Sequence, residues 1–139
     1  MDLGFIVLVD DEVACSDWEQ ELYRMGVPPE MDVYFETVDS AVEKLPEYAR
    51  DPRPGALLTG DVETMARLVE KGGAVPRINL GGIHYRADRT QRLRYIFLTP
   101  QEERDLRALA SRGIEVTAQD VPAARPLPLA DVLTGEGNR

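Results

Sequence analysis

The run Phe5-Ile-Val-Leu-Val9 is apolar from end to end, and it limits what the rest of the chain can build. A strand with one wet face alternates polar and apolar residues, whereas an unbroken β-branched run needs cover on both faces. Parallel strands flanked by helices provide that cover. Gly4 and Asp10-Asp11 bound the run, and the segments that follow alternate in period. Ser16 caps a helix in which Trp18, Leu22 and Met25 recur on one face at i, i+4 and i+7, until Gly26 and Pro28-Pro29 end it. Met31 to Glu36 reads as a strand. Thr37 opens a helix with Val38, Ala41, Val42 and Leu45 inward, limited or kinked at Pro46. Ala56 to Leu58 is a short strand, and Val62, Met65, Ala66 and Val69 mark a helix closed by Gly72-Gly73.

Arg77 to Leu80 is the next strand. The link from there to the apolar run Leu93 to Leu98 is too short for a helical crossover, so that strand is expected to run antiparallel or to lie at an edge. Thr99-Pro100-Gln101-Glu102 has the spacing of a capping box with proline at the first helical position. Leu106, Leu109 and Ala110 then face inward, Glu103 and Arg107 pair at i, i+4, and Gly113 stops the helix. Ile114 to Thr117 is the last strand, followed by a Pro-rich tail over 122–139 with a helical turn at Leu129 to Leu133. The pattern predicts one α/β domain over 1–139, a three-layer sandwich around a mostly parallel central sheet with an antiparallel edge strand.

The strand Arg77 to Leu80 runs into Gly81-Gly82-Ile83-His84-Tyr85-Arg86, which contains the only histidine. In open parallel sheets ligands bind beyond the carboxyl ends of the strands, so this turn falls on the functional edge. A tight turn and a packing histidine account for the same residues equally well. The net charge of -9 argues against nucleic acid or an anionic membrane as the main partner. Around the turn the sign reverses, with Arg77, Arg86, Arg89, Arg92 and Arg94 against Asp88 alone. Guanidinium forks suit phosphate, which points to a phosphorylated ligand or partner, although arginines on an exposed hairpin also simply keep it soluble. The single Cys15 makes no internal disulfide and no metal pattern. No metal or cofactor is expected, and the absence of a spanning or signal segment predicts a cytoplasmic chain.

A strand ending in Asp10-Asp11-Glu12 resembles the start of a phospho-accepting receiver domain. Receivers need an aspartate where this chain has Thr59, and a lysine after the fifth strand where it has none, so that reading is set aside. Asp10 and Asp11 then serve helix entry.

Phe5 to Ala14, Ala-Arg-Leu-Val-Glu-Lys-Gly-Gly (Ala66 to Gly73), Ile-Asn-Leu-Gly-Gly-Ile-His-Tyr-Arg (Ile78 to Arg86) and Leu106 to Val116 together resemble IIB subunits of the mannose/sorbose branch of the sugar phosphotransferase system. The Asn-x-Gly-Gly-x-His ending is the most specific of the four. The resemblance implies a cytoplasmic phosphocarrier, peripheral to the membrane at most. Such a carrier takes a phosphoryl group from a phosphohistidine of IIA and passes it to a sugar arriving through the IIC and IID subunits. A homodimer is compatible with this reading. In that family the acceptor histidine lies in an Arg-x-Asp-x-Arg-x-x-His-Gly-Gln motif after a strand preceding the one matched by Phe5 to Val9. No catalytic residue is therefore assigned here, and His84 is not taken as a substitute. A start placed downstream of the true one is the favoured explanation, against a remnant that has lost transfer or a slot filled by another chain. The resemblance implies that Asp10, Thr59, Gly60, Asn79, Gly81, Gly82, His84 and Arg86 ring the phosphate or partner site, with Arg86 and Arg89 docking IIA or the sugar phosphate. The alternative is a non-catalytic phosphate-binding or regulatory module derived from a IIB subunit.

Overall fold

Strand β1 (Phe5–Val9) is flanked on both sides by parallel neighbours, β2 (Asp32–Glu36) and β3 (Gly55–Thr59). Leu8 lies in register with Phe35 on one side and Leu58 on the other. Phe5, Val7, Leu8 and Val9 are buried, as an unbroken apolar run requires. The computed structural model describes residues 3–73, 75–120 and 123–134. The chain gathers into two compact units, Met1–Ala74 and Val75–Arg139. Of the expected tail, Pro122 and residues 135–139 lie outside the described residues.

In the first unit, α1 (Asp17–Met25), α2 (Val38–Arg50) and α3 (Val62–Glu70) each begin at a side-chain cap supplied by Ser16, Thr37 and Asp61. α2 continues past Pro46 to Arg50. Its Tyr48 ring lies 5.9 Å from Phe5 and 5.5 Å from Tyr34, which places α2 on the side of the sheet that those residues share. α3 packs on α2, tied by a 3.0 Å ion pair between Lys71 and Asp39. α1 lies on the opposite side, with Tyr23 6.3 Å from Phe35 and the Arg24 guanidinium 5.1 Å above the same ring. Gly72, at φ +105°, closes α3 while Gly73 N–H donates to the Leu68 carbonyl.

The apolar stripe of α1 faces outward. Trp18, Leu22 and Met25 are 69%, 53% and 80% exposed. Gln20 Nε2 donates to the carbonyls of Val13 (3.0 Å) and Ala14 (3.2 Å) in the single 3₁₀ turn Val13–Cys15, and Tyr23 meets Phe35. At 3.6 residues per turn Gln20 and Tyr23 share one side of the helix, so positions 18, 22 and 25 fall on the other.

The second unit carries β4 (Arg77–Leu80), β5 (Thr90–Leu93), β6 (Ile96–Leu98), α4 (Pro100–Ser111), β7 (Glu115–Ala118), β8 (Leu127–Pro128) and α5 (Leu129–Thr134). β4 runs parallel to β7, and β8, not foreseen in the sequence, adds antiparallel to β7. The expected strand Leu93 to Leu98 is broken at Arg94-Tyr95, where β5 turns back as β6 in an antiparallel pair. α4 begins with the predicted capping box and is followed by Gly113 at φ +90°. Glu103 does not pair with Arg107; it makes a bidentate contact with Arg92 at 2.7 and 3.0 Å. The fold is α/β with parallel pairing in both units, and the antiparallel pairing near Leu98 is present.

The Phe5 ring lies against Gly55 so closely that an added Cβ would collide with it. Gly55→Ala is expected to destabilise the protein by about 1–3 kcal/mol in urea unfolding, the usual cost of overpacking. Combining it with Phe5→Leu should recover part of that loss.

Candidate functional site

At the carboxyl ends of β1 and β3, adjacent residues divide the work. Asp10 Oδ1 accepts the N–H groups of Glu12 (2.9 Å) and Val13 (3.0 Å), fixing its own turn. Asp11 reaches further, with Oδ1 accepting the Val38 N–H at 2.9 Å and Oδ2 lying 3.3 Å from Arg67. The Val38 hydrogen bond, aided by Arg67, holds the Asp11 carboxyl below its ordinary value. Thr59 Oγ donates to the Asp61 carbonyl at 3.0 Å, and the Asp61 carboxylate accepts the Thr64 N–H at 2.8 Å. The N-terminus of α3 is thus occupied by a carboxylate next to exposed Gly60, and the Thr59 hydroxyl proton is committed. These contacts are those of an ordinary helix cap.

In the second unit the segment after β4 is held from below. Asn79 Nδ2 donates to the Gln119 carbonyl at 3.0 Å, joining the ends of β4 and β7. Gly81 and Gly82 are exposed, and neither has positive φ. Among the described residues a Cβ at either would meet nothing closer than 3.8 Å, so neither turn strain nor packing among them requires glycine there. The Ile83 N–H donates to the Tyr95 carbonyl (2.9 Å) and its own carbonyl accepts the Phe97 N–H (3.1 Å), which stitches the segment to the β5–β6 turn. His84 is exposed and only its carbonyl is engaged, by Arg89 at 3.1 Å; its imidazole has no hydrogen-bond partner among the described residues. Tyr85, 71% exposed, stands edge-on to Phe97 at 5.8 Å.

The arginines around this loop are largely committed to acids. Arg89 makes two bonds to Glu102, 3.0 and 2.8 Å, with both side chains nearly buried. Glu102 Oε1 also accepts the Thr99 N–H at 2.8 Å, so the carboxylate that closes the capping box of α4 anchors Arg89, which in turn holds His84. Burial would raise the Glu102 carboxyl, but Arg89 and the Thr99 N–H outweigh it and keep it below its ordinary value. Arg86 is bidentate to Asp88 at 2.8 and 2.9 Å, an exposed contact that depresses the Asp88 carboxyl. Arg77 and Arg94 are exposed and have no acid partner among the described residues.

The structure therefore assembles two groups of the expected residues. Asp10, Thr59 and Gly60 lie at strand ends of the first unit; Asn79, Gly81, Gly82, His84, Arg86 and Arg89 lie along one loop of the second. Arg89 fixes the loop and is not open to a ligand. Arg94, in the turn whose Tyr95 carbonyl approaches Gly82 and Ile83, is the cation that the reading of the sequence left out of the site. The only signal for it was its place in the arginine cluster. Among the described residues no group of three or more His, Cys, Asp or Glu side chains is placed to hold a metal ion.

Comparison with known proteins gives one consistent answer. The family model described as "PTS system sorbose subfamily IIB component" matches residues 1–139. The chain is similar to the N-acetylgalactosamine-specific phosphotransferase enzyme IIB component 1 of Escherichia coli (strain K12), at 29% identity over 131 residues, 92% of this chain and 81% of that protein. It is 27% identical over 131 residues to the mannose-specific EIIAB component of the same strain, covering 93% of this chain and 40% of that longer protein. The crystal structure of the Escherichia coli N-acetylgalactosamine-specific IIB component 1 superposes with a TM-score of 0.83 at 26% identity, over 90% of this chain and 82% of that one.

The Glu102 carboxylate sets a pH dependence. Because its folded pKa is depressed, its contribution is fully present above the ordinary glutamate value of 4.5 and is lost as pH falls through the depressed value. Glu102→Gln should cost about 3 kcal/mol at neutral pH by leaving Arg89 unpaired. The gap to wild type should close as pH falls below the glutamate range, read by urea unfolding at several pH values.

Proposed function

Because the chain belongs to the sorbose subfamily of phosphotransferase-system IIB components, matched over residues 1–139, we propose that it works at the IIB step of a sugar phosphotransferase relay. In this reading it docks a IIA phosphohistidine on one side of the step and the membrane IIC and IID subunits on the other, and the phosphoryl group passes to the transported sugar from the cytoplasmic face. The observation that carries the reading is the loop 81–89, which is built for close approach. Its two glycines answer no packing need among the described residues, its backbone is stitched to β6 and to Arg89, and Arg94 stands exposed beside it. Bare backbone next to an uncommitted guanidinium suits a phosphoryl group, whose oxygens take N–H and guanidinium donors as charge develops.

His84 is assigned to docking and not to accepting phosphate. An acceptor imidazole attacks through one neutral nitrogen while a hydrogen bond at the other fixes its tautomer and direction, and the His84 ring has no such partner among the described residues. The competing reading is a phosphate-binding or regulatory module, in which the candidate loop would bind phosphate without passing it on.

Intact-mass spectrometry after incubation with phosphoenolpyruvate, the general phosphotransferase proteins and a cognate IIA tests this. Since His84 is the only histidine, any phosphohistidine on this chain must be there. The expected result is no acid-labile gain for the chain alone and transfer once an acceptor loop of the family is joined to it. Arg94→Glu should weaken IIA binding roughly tenfold, as reversal of an interfacial charge does. A phosphoryl gain lost in His84→Ala would overturn the docking assignment, and phosphate binding without transfer in the joined protein would favour the module.

A further inference from the structure

The hairpin that turns at Arg94-Tyr95 is irregular. In the pair of β5 with β6, Gln91 stands opposite Phe97 and Leu93 opposite Ile96, so Arg92 is an extra residue with no partner across the ladder. Residues opposite each other point to the same side of a sheet, and a slip of one residue exchanges the two sides. In an unbroken ladder Arg92 would oppose Ile96, which is fully buried. The bulge seats Leu93 there instead, also buried, and frees Arg92 to leave the core. The Arg92 guanidinium goes to Glu103, in the first turn of α4, at 2.7 and 3.0 Å, with both side chains mostly shielded from water. Among the described residues that is its only hydrogen-bonding partner, and it does not touch the loop 81–89 through a hydrogen bond.

Two adjacent carboxylates of α4 thus hold the loop by two routes. Glu102 holds Arg89, which bonds to the His84 carbonyl. Glu103 holds Arg92 and with it the hairpin. Ile83 is joined to that hairpin by its N–H on the Tyr95 carbonyl, by its own carbonyl on the Phe97 N–H and by a parallel bridge to Ile96. Gly81 and Gly82 precede these bonds, and glycine loses more conformational freedom on ordering than any other residue, so the loop depends on the restraints at Ile83 and His84. We propose that Arg92 and Glu103 are positioning residues for this loop. By locking the bulged hairpin onto the first turn of α4 they fix Ile83, and so the direction in which His84 and Tyr85 are presented, although neither bonds to the loop itself. What docks on the loop is the separate reading given above, and only the binding measurement below rests on it.

Hydrogen exchange of the full chain, followed by NMR, reads the two loop-to-hairpin bonds directly through the Ile83 and Phe97 amides. Arg92→Gln is expected to lower the protection of both by about tenfold, while amides of the β4–β7 pair in the same unit keep theirs. Glu103→Gln should give the same pattern. The double variant Arg92→Gln/Glu103→Gln should lose no more than either single change, because all three break one pair. Equal loss of protection across the whole second unit would mean that the pair serves general stability only, and would overturn the proposal. So would unchanged protection at Ile83 and Phe97, or losses that add in the double variant. Affinity for a cognate IIA, measured on the same variants, should fall together with the protection. Protection lost at constant IIA affinity would leave the positioning role standing and overturn the docking role given to the loop.

Discussion

One carboxylate, that of Glu102, couples the start of a helix to the geometry of the candidate loop. It accepts the Thr99 N–H, closing the capping box of α4, and it takes both arms of Arg89, which reaches the His84 carbonyl. Charge-assisted bidentate contacts in a nearly dry setting are among the stronger polar interactions a small domain has. The loop is therefore referenced to the capped start of α4, with the backbones of Ile83 and His84 held while the His84 and Tyr85 side chains are exposed. A binding surface needs this combination of a fixed backbone and accessible side chains.

The same economy shows in the charge distribution. An acidic protein with a cluster of arginines suggests a cationic patch, yet Arg86, Arg89 and Arg92 each meet a carboxylate face to face. What remains positive is narrower, formed by Arg77 and by Arg94 beside the glycines. The acidic excess lies elsewhere in the chain, on the segment from Asp10 to Glu30, where a hydrophobic stripe accompanies it.

Much of the architecture was legible because it is local. The unbroken Phe5–Val9 run, the Thr99 capping box and Gly72 and Gly113 at helix ends announce themselves within a few residues, and β4 falls where its pattern put it. What was illegible depends on partners distant in sequence. Periodicity found the stripe of α1 but not its direction, which is decided by Gln20 bonding to Val13 and Ala14 and by Tyr23 meeting Phe35. The apolar run Leu93 to Leu98 hid a reversal at Arg94-Tyr95, and β8 was masked by its prolines. The candidate loop from Asn79 to Arg89 stands out in the sequence by its glycines and its histidine. That Arg89 would be consumed by Glu102 and Arg94 left exposed was not, because those pairings exist only once α4 has packed.

Asp10 and Asp11 look interchangeable in the sequence but close their contacts on very different sequence scales. The bonds of Asp10 span two and three residues, whereas Asp11 joins Val38 and Arg67, 27 and 56 residues away. Local contacts form as soon as the chain leaves β1; distant ones must wait for loop closure. The contacts of Asp10 are complete within its own turn, whereas those of Asp11 require the start of α2 and the body of α3 to be in place. Two adjacent, chemically identical side chains thus serve opposite ranges, one closing a turn and the other tying three elements of the first unit together.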